Sequence, residues 1–459
     1  MASRPQFPPL ELLCCPRCEG VLTDGDPLAC TSCAVVYPRV GGLPWLFAEP
    51  DAVLGEWRAR LHGFLAGLEA QATRYRAALG EDVLRGSTRS RLKLLAAACS
   101  DHARRLRALM APLGAGTAAA APEMYTALGM TLPAAQGLAG YYANLHRDWS
   151  WGEAENEAAY RLVDETLGGE PLGRTLLLGV GAGRLAYDLH RRRRPDVFVA
   201  ADINPLFLLA ARRLYDGAAL ELYEFPLAPR DVASHAILRR LQAPAPAGPG
   251  LHLLFADVTR APFAAGAFDT VVTPWLIDIL DEDLAIFARR VNRWLRPGGR
   301  WVNSGSLSFG NDEPARRYAL EEVREIVAES GFAPIEPREE AIPYLCSPAS
   351  RHGRVETVVT FATSKRAEAA SPGAVRRTPP WLERTDLPVP LLPELQGRQL
   401  ELRVLAYVAS LVDGRRSVRD MAGVLVEQRL MAEAEAEPTV RAFLARLHEE
   451  TRARASSSP

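Results

Sequence analysis

Apolar and polar residues follow three different rhythms along the chain, and each change of rhythm marks a part. Over residues 52–113 apolar positions recur at helical spacing (Leu61, Phe64, Leu65, Leu68; Leu92, Leu95, Leu106, Met110), predicting two or three amphipathic helices. Gly80 and the Arg85-Gly-Ser-Thr stretch break that run, and residues 111–122 turn to Ala, Gly and Pro, a flexible connection. From residue 174 the pattern becomes short apolar runs set between helical stretches. Thr175 to Leu178 enters a glycine-rich turn, a helix follows (Leu185, Leu189), and Val197 to Ala201 ends in Asp202. Further runs are predicted as strands at 251–258, ending at Asp257, at 267–275, and after the Pro-Gly-Gly turn in 294–302. Residues 366–387 have linker composition, and from 388 the helical rhythm returns. Strands alternating with helices predict an α/β fold with a mainly parallel sheet.

Composition narrows the class without choosing a function. The 459 residues suggest about two to four domains. Apolar residues make up 48% and the formal net charge is −1, so large cores are available and nothing calls for nucleic acid. The short basic run Arg191 to Arg194 suits the C-terminal end of a helix, where cations favour the dipole. No apolar stretch reaches membrane-spanning length and no signal-peptide pattern is present, so a cytoplasmic enzyme without a membrane partner is expected. The sequence leaves the oligomeric state open.

The glycine turn carries the first chemistry. Gly179, Gly181 and Gly183 let the backbone approach a ligand closely, and the following helix presents free N–H groups to negative charge. Asp202, ending the second strand, stands where a ribose diol would find acceptors. By itself this unit fits a dinucleotide or S-adenosylmethionine, or an ordinary doubly wound domain with incidental acids. Asp257 at the third strand end, the acid opening the fourth strand and the Pro-Gly-Gly turn follow in order. The series resembles the Rossmann-like class of S-adenosylmethionine-dependent methyltransferases, and G-x-G-x-G fits them better than G-x-G-x-x-G. The resemblance implies a donor site of Gly179, Gly181, Gly183, Arg184, Asp202, Asn204, Asp257, Val258 and Thr273.

Ahead of these elements, Cys15-Pro-Arg-Cys18 and Cys30-Thr-Ser-Cys33 form two C-x-x-C knuckles. Four thiolates so spaced can close a tetrahedral zinc site with no open position, structural and not catalytic; two redox dithiols are the alternative. Cys14 is read as a bystander. The stretch resembles the small zinc-binding proteins that activate methyltransferases in trans, with Tyr37-Pro38 and Gly42-Leu43-Pro44 in place of their Tyr-Pro and Gly-Ile-Pro segments. It implies an activator carried in cis, with Leu43, Trp45, Leu46 and Phe47 packing on the catalytic domain. A ribbon that only stabilises the N-terminus is the other reading.

Arg147-Asp-Trp-Ser150, TPWLID (Thr273 to Asp278) and RPGGRWVN (Arg296 to Asn303) resemble the carnosine N-methyltransferase family over about residues 50–365. That likeness implies that Arg147 and Asn144 hold the donor's amino-acid end, and that Asp278 holds the imidazole side of the acceptor, with Asn303 and Tyr344 in the same pocket. Arg147 could instead pair with Asp148 or Glu155, and Asp278 could be a helix N-cap. The family's Leu-Tyr-His segment and its aromatic-rich Tyr-x-Cys strand are replaced by Leu307-Ser-Phe-Gly310 and by Val355 to Phe361, so the donor half of the site matches and the acceptor half does not.

Beyond residue 388, a helix, an Asp413-Gly-Arg-Arg-Ser417 turn with Ser417 as N-cap, a second helix and a final helix resemble the small winged-helix modules that hold leader peptides. A helical domain for dimerisation or packing fits equally, and the basic residues Arg415, Arg416 and Arg419 do not recommend DNA. A disordered tail is expected from Arg452. The expected architecture is a zinc ribbon (1–50), a helical segment (51–122), a Rossmann-like methyltransferase domain (123–365), a linker (366–387) and a helical or winged-helix module (388–459). The expected activity is methyl transfer from S-adenosylmethionine to an imidazole or amine nitrogen of a histidine-derived small molecule or peptide. A peptide or protein methyltransferase served by the C-terminal module, or a non-catalytic scaffold that binds the donor, are the alternatives.

Overall fold

The computed structural model describes residues 8–81, 83–114, 132, 137–310, 314–369, 388, 403 and 405–456. The expected connection at 111–122 and the linker at 366–387 fall largely outside the described residues. The chain divides into two compact units, Met1–Gly373 and Ala374–Pro459.

In the first unit a small antiparallel sheet of β1 (Leu22–Thr23), β2 (Leu28–Cys30) and β3 (Val36–Tyr37) carries the cysteine knuckles. Next come β4 (Arg39–Val40) and β5 (Leu43–Leu46), then two long helices, Pro50–Ala78 and Gly86–Leu109, broken where the glycines predict. The strands β6 (Arg174–Leu178), β7 (Val197–Asp202), β10 (Leu251–Ala256), β11 (Phe268–Pro274) and β12 (Leu295–Gly305) lie in the five predicted places. A hairpin, β8 (Leu220–Glu224) with β9 (Ile237–Leu241), interrupts them and was not expected. The last strands are β13 (Arg338–Tyr344) and β14 (Arg354–Ser364).

Nine strands form one sheet in the order β13-β14-β12-β11-β6-β7-β10-β5-β4. The five central strands run parallel, β14 is antiparallel to β12, and β13 is antiparallel to β14. The chain proceeds from β6 to β7 and β10 on one side, then reverses to β11 and β12 on the other. A doubly wound sheet binds ligands at that switch, beyond the carboxyl ends of β6 and β11. This is the Rossmann-like α/β architecture.

The parallel strands are buried on both faces, so their apolar runs are continuous and side chains alternate between two cores. Leu177, Phe198, Ala200 and Phe255 join the core beneath the long helices, whereas Leu176, Leu178, Val199 and Leu254 join the other. The N-terminal segment enters both. β5 pairs in parallel with β10 (Trp45 opposite Phe255, Leu46 opposite Ala256), sending Trp45 into the first core and Leu46 into the second. The Trp45 ring lies 4.8 Å from Phe255 and its indole N–H donates to the Pro50 carbonyl at 2.9 Å. Leu12, Leu13, Cys15, Leu22 and Tyr37 also line the second core. The cysteine segment is therefore built into the sheet, because edge strand β10 would otherwise leave its backbone groups unpaired.

In the second unit the helices Val418–Glu427 and Glu433–Ser456 pack Met421, Leu425, Ala436 and Val440 together with Leu411. Ser417 caps the first of these helices, accepting from the Asp420 N–H at 3.2 Å while the Asp420 carboxylate accepts from the Ser417 N–H at 2.8 Å. The described residues of this unit contain no strand, so no wing is seen. The final helix runs past Arg452, where a disordered tail was expected; residues 457–459 lie outside the described residues. Among the described residues, no helix is long and apolar enough to cross a membrane.

Candidate active site

The site is built where the glycine turn meets the segment 143–151. Gly179, Gly181 and Gly183 all adopt left-handed φ (+73°, +53° and +95°), which glycine takes without the steric cost of a Cβ. A Cβ on Gly183 would meet the Tyr215 hydroxyl at 2.6 Å, whereas one on Gly181 would meet nothing within 4 Å, so the surface over the turn is open. The Asp202 carboxylate fixes that turn, accepting from the Gly181 N–H (2.7 Å) and the Asn204 N–H (2.8 Å). Burial raises the Asp202 carboxyl to about 6, although the N–H groups of Asn204, Gly181 and Ile203 pull it down. Asn204 is the N-cap of the helix Pro205–Tyr215, accepting from the Leu206 N–H at 3.0 Å and donating to the Leu138 carbonyl at 3.2 Å.

The Arg-Asp-Trp-Ser segment fastens this turn from above. It extends the short helix Ala143–His146 into a wide turn over Arg147–Trp151. Trp149 donates from its indole to the Ala182 carbonyl at 2.7 Å, and Asp148 accepts from the Arg184 N–H at the start of the helix Arg184–Arg193 (3.4 Å). The Arg184 guanidinium is wholly taken up by protein: Nε by Asp188, Nη1 by the Asp148 carbonyl, Nη2 by Glu153. Its role in the structure is to hold the turn together. Arg147 pairs with Asp148 at 2.7 Å, and its guanidinium lies 5.4 Å from the centre of the Tyr344 ring. The pairing with Asp148 that the sequence left open is thus formed, while Glu155 goes elsewhere. Among the described residues, nothing donates to the buried Asn144 Oδ1, an acceptor that a donor amine would satisfy. A polar cavity of about 320 Å³, lined in part by Arg147, Asp148, Glu153, Arg184 and Gln242, lies beside this shell and does not include Asp202.

On the β10 side, Asp257 Oδ1 accepts from both the N–H and the hydroxyl of Thr259 at 2.8 Å, and Oδ2 receives no donor from the described residues. Val258 follows on the same turn, half-buried, and its carbonyl accepts from Arg290 at 3.1 Å. Thr273 and Asn303 face each other in register across β11 and β12, fully buried. The Trp301 indole donates to the Thr273 hydroxyl at 2.9 Å, and the Asn303 amide, its nitrogen turned to Thr273, reaches the carbonyl at 2.8 Å and the hydroxyl at 2.9 Å. The structure places these two inside the sheet.

Asp278 is different. The helix Leu284–Trp294 is capped by Asp283, which accepts from the Ala285 N–H at 2.8 Å, so Asp278 is not its N-cap. Asp278 sits 8% exposed beyond the carboxyl end of β11. The Ser306 hydroxyl and the Ser308 N–H both donate to its Oδ2, each at 2.9 Å. Among the described residues, nothing donates to Oδ1. The carboxylate is held by one oxygen and offers the other.

Aromatic rings and strained backbone surround it. Trp275 packs on Tyr344 at 5.0 Å, and Glu155 ties the end of β13 down, accepting from the N–H groups of Leu345 (2.9 Å) and Cys346 (2.8 Å). Eight described non-glycine residues have left-handed φ, and four of them, Tyr141, Trp275, Leu307 and Leu345, belong to this neighbourhood. Such conformations cost about 1–3 kcal/mol each and persist where surrounding contacts impose them, most often at functional sites. Sequence reasoning did not assign Trp275, Tyr141, Glu155, Ser306 or Ser308 to the site. Trp275 stands inside the Thr273 to Asp278 motif, whereas the serines lie in or next to the segment where the family likeness lapses.

The four knuckle cysteines form a second centre. Their sulfurs all lie within 4.8 Å of one another, with Cys15–Cys33 at 3.6 Å and Cys18–Cys30 at 3.5 Å. Zinc–thiolate bonds of about 2.3 Å in a tetrahedron require sulfurs about 3.8 Å apart, so the four thiols fit that ion. Glu19 and Ala34, each just after the second cysteine of its knuckle, share a left-handed φ (+60° and +56°), and their N–H groups close matching turns onto Cys15 and Cys30 carbonyls. Burial would raise the Cys30 thiol, but the N–H groups of Cys33 and Ser32 directed at its sulfur bring it to about 6, toward the thiolate a metal needs. Cys14 stands outside the cluster, its N–H bonded to the Pro262 carbonyl at 2.9 Å.

Residues 176–302 match the family model described as a methyltransferase domain. No curated protein matches the sequence. Among solved structures, a chain from the complex of the Haloferax volcanii Trm112 methyltransferase activator with a methyltransferase is 15% identical, with 50% of this chain and 97% of that one covered and a TM-score of 0.33. The Haemonchus contortus phosphoethanolamine N-methyltransferase 2 in complex with S-adenosyl-L-methionine is 16% identical, covering 50% and 57%, with a TM-score of 0.32. YcgJ from Bacillus subtilis is 12% identical, covering 46% and 99%, with a TM-score of 0.33. The strand order described above defines the fold independently of these overlaps.

Proposed function

We propose that this S-adenosylmethionine-dependent methyltransferase places the donor's methyl group on a nitrogen of a histidine-derived small molecule or peptide. The observation that carries the reading is Asp278, a carboxylate anchored through Oδ2 with Oδ1 left for a ligand, at the sheet edge where α/β folds hold substrates. When bound, the donor supplies an electrophilic methyl carbon on a sulfonium. Gly181 and its neighbours give the adenosyl group backbone access, Asp202 accepts from the ribose hydroxyls, and Asp257 Oδ2 accepts from the adenine amino group. Arg147 and Asn144 take the donor's carboxylate and amine.

Methylation of an imidazole needs one ring nitrogen with a free lone pair. Asp278 accepts the N–H of the other nitrogen, fixing the tautomer that points the lone pair away from the carboxylate. As the new N–CH₃ bond forms and the S–CH₃ bond breaks, its electron pair returning to sulfur as S-adenosylhomocysteine leaves, the ring becomes cationic, and Asp278 stabilises that charge and can take the N–H proton. Trp275 and Tyr344 supply the apolar walls that exclude water. The four cysteines would hold zinc as a structural ion, in a ribbon that acts on the catalytic sheet through β5.

The test is mass spectrometry of reactions with labelled S-adenosylmethionine, offering histidine, carnosine, related imidazoles and histidine-containing peptides together. One added methyl on an imidazole nitrogen is expected. Transfer to peptides alone would move substrate reading to the unit Ala374–Pro459. Donor binding with no product from any acceptor would leave a scaffold.

The Asp202 assignment carries its own pH dependence. With its carboxyl raised by burial to about 6, the donor-free protein favours the protonated acid below that pH. Ribose hydroxyls bind the ionised form, so donor affinity should be constant above about pH 7 and weaken by up to about tenfold per unit as pH falls below 6. The stability sign is opposite: a raised carboxyl favours the fold below the ordinary carboxylate range, and that contribution is lost as pH rises through about 6. Calorimetric titration with S-adenosylhomocysteine between pH 5 and 7.5 checks the first statement, and a flat profile would remove Asp202 from the donor site.

A further inference from the structure

Asp278 supplies a negative charge to the acceptor, and a positive one, Arg354, stands at the start of β14. Tyr344 and Arg354 face each other in register across β13 and β14. The Arg354 guanidinium lies 4.6 Å from the centre of the Tyr344 ring, whose own neighbour is Trp275 at 5.0 Å. Stacking of this kind holds the planar fork while leaving its edges for ligands. Its side chain is 55% exposed, and Glu356, one turn of the pleat along, pairs with its Nε. Tyr141 is half-exposed. Burial raises its phenol, Tyr344 and Asp278 raise it further, and Arg354 lowers it. The backbones of Tyr141, Trp275 and Leu345 are all in the left-handed region there.

We propose that Arg354 is the acceptor's carboxylate-binding residue, so that the preferred acceptor is a free amino acid, or a short peptide ending in the reactive residue, and not an internal residue of a protein. The proposal rests on the reading of Asp278 as the nitrogen-side contact. An aromatic-walled site with a carboxylate on one side and a guanidinium on the other matches a molecule bearing both an N–H and a carboxylate. An acceptor without the acid would forgo a charge-assisted bond to the Arg354 guanidinium. An internal histidine offers only a peptide carbonyl there.

The experiment compares histidine with its carboxamide, and carnosine with its amide, in steady-state methylation by the wild-type full chain, Arg354→Gln and Arg354→Lys, with donor Kd measured for each. In the wild type the acids should exceed the amides by about tenfold or more in kcat/KM, mainly through KM. Arg354→Gln should bring that ratio close to one, Arg354→Lys should restore part of it, and donor Kd should not change. Acid and amide methylated alike by the wild type would overturn the proposal while leaving the nitrogen-acceptor reading in place, as would a ratio unaltered in Arg354→Gln. Failure to methylate any imidazole would remove both.

Discussion

Replacing Asp278 with asparagine should reduce kcat about 100-fold or more while leaving the Kd for S-adenosylhomocysteine within about twofold of the wild type. Donor contacts and Asp278 lie on different parts of the site: the donor is assigned to the glycine turn, Asp202 and Asp257, whereas Asp278 is bonded to Ser306 and Ser308 after β12. Asparagine keeps the size of the side chain. It loses the charge that favours an imidazole N–H and stabilises the ring as it becomes cationic, and its NH₂ can present a donor where an acceptor is needed. Single-turnover kinetics, with donor affinity measured separately, distinguishes this from a folding defect. An unchanged turnover would make Asp278 an anchor for the 306–308 loop and nothing more.

The second large effect concerns the ribbon. Stripping zinc with a strong chelator under reducing conditions, or Cys15→Ser, should abolish a one-to-one zinc content. It should also lower the melting temperature of the unit Met1–Gly373 by about 10 °C or more. Structural zinc sites contribute apparent binding energies of about 10–16 kcal/mol at neutral pH, and that energy is folding energy. If only about 5 kcal/mol of it reaches the global transition, a shift of about 2 °C per kcal/mol gives that figure. The loss would not stay local. β5 covers the β10 edge with Leu46 opposite Ala256, the residue before Asp257, and Trp45 and Leu46 fill opposite cores. Donor affinity should therefore weaken as well, by about tenfold, on the adenine side. Zinc measured by atomic spectroscopy, thermal melts and donor titration on the same samples provide the check. Protein with no zinc and an unaltered melt would end the zinc reading, and unaltered donor affinity after metal loss would reduce the ribbon to a stabiliser of the N-terminus.

Much of this molecule is legible in its amino-acid sequence, for reasons that are local. The strands β6, β7, β10, β11 and β12 are short apolar runs because a parallel strand buried on both faces must be apolar throughout. The turn needs left-handed backbone at Gly179, Gly181 and Gly183, and that need is written as glycine. The knuckles show as two spaced cysteine pairs, and Ser417 as a cap three residues before Asp420. Each of these signals lies within a few residues of what it specifies.

Other features were decided only when distant segments met. The β8–β9 hairpin is joined by a long connection without glycine, so the short-range hairpin signal is missing. Arg184 looked like a donor contact because it follows the turn, yet Asp188 on its own helix and Asp148 and Glu153 from another segment take up its guanidinium. Asn303 looked like a pocket residue, and the sheet spends its amide on Thr273. The hold on Asp278 comes from serines 28 and 30 residues away in sequence. The stacked Arg354 comes from a strand that reads as plain sheet. Composition and spacing determined that this chain folds as a Rossmann-like domain with a glycine-rich turn and a four-cysteine knuckle, because those depend on backbone conformation and near neighbours. Which carboxylates remain open to a ligand, and that the knuckle segment completes the catalytic sheet, depended on the tertiary structure, since a polar group is free or taken only after every other segment has packed.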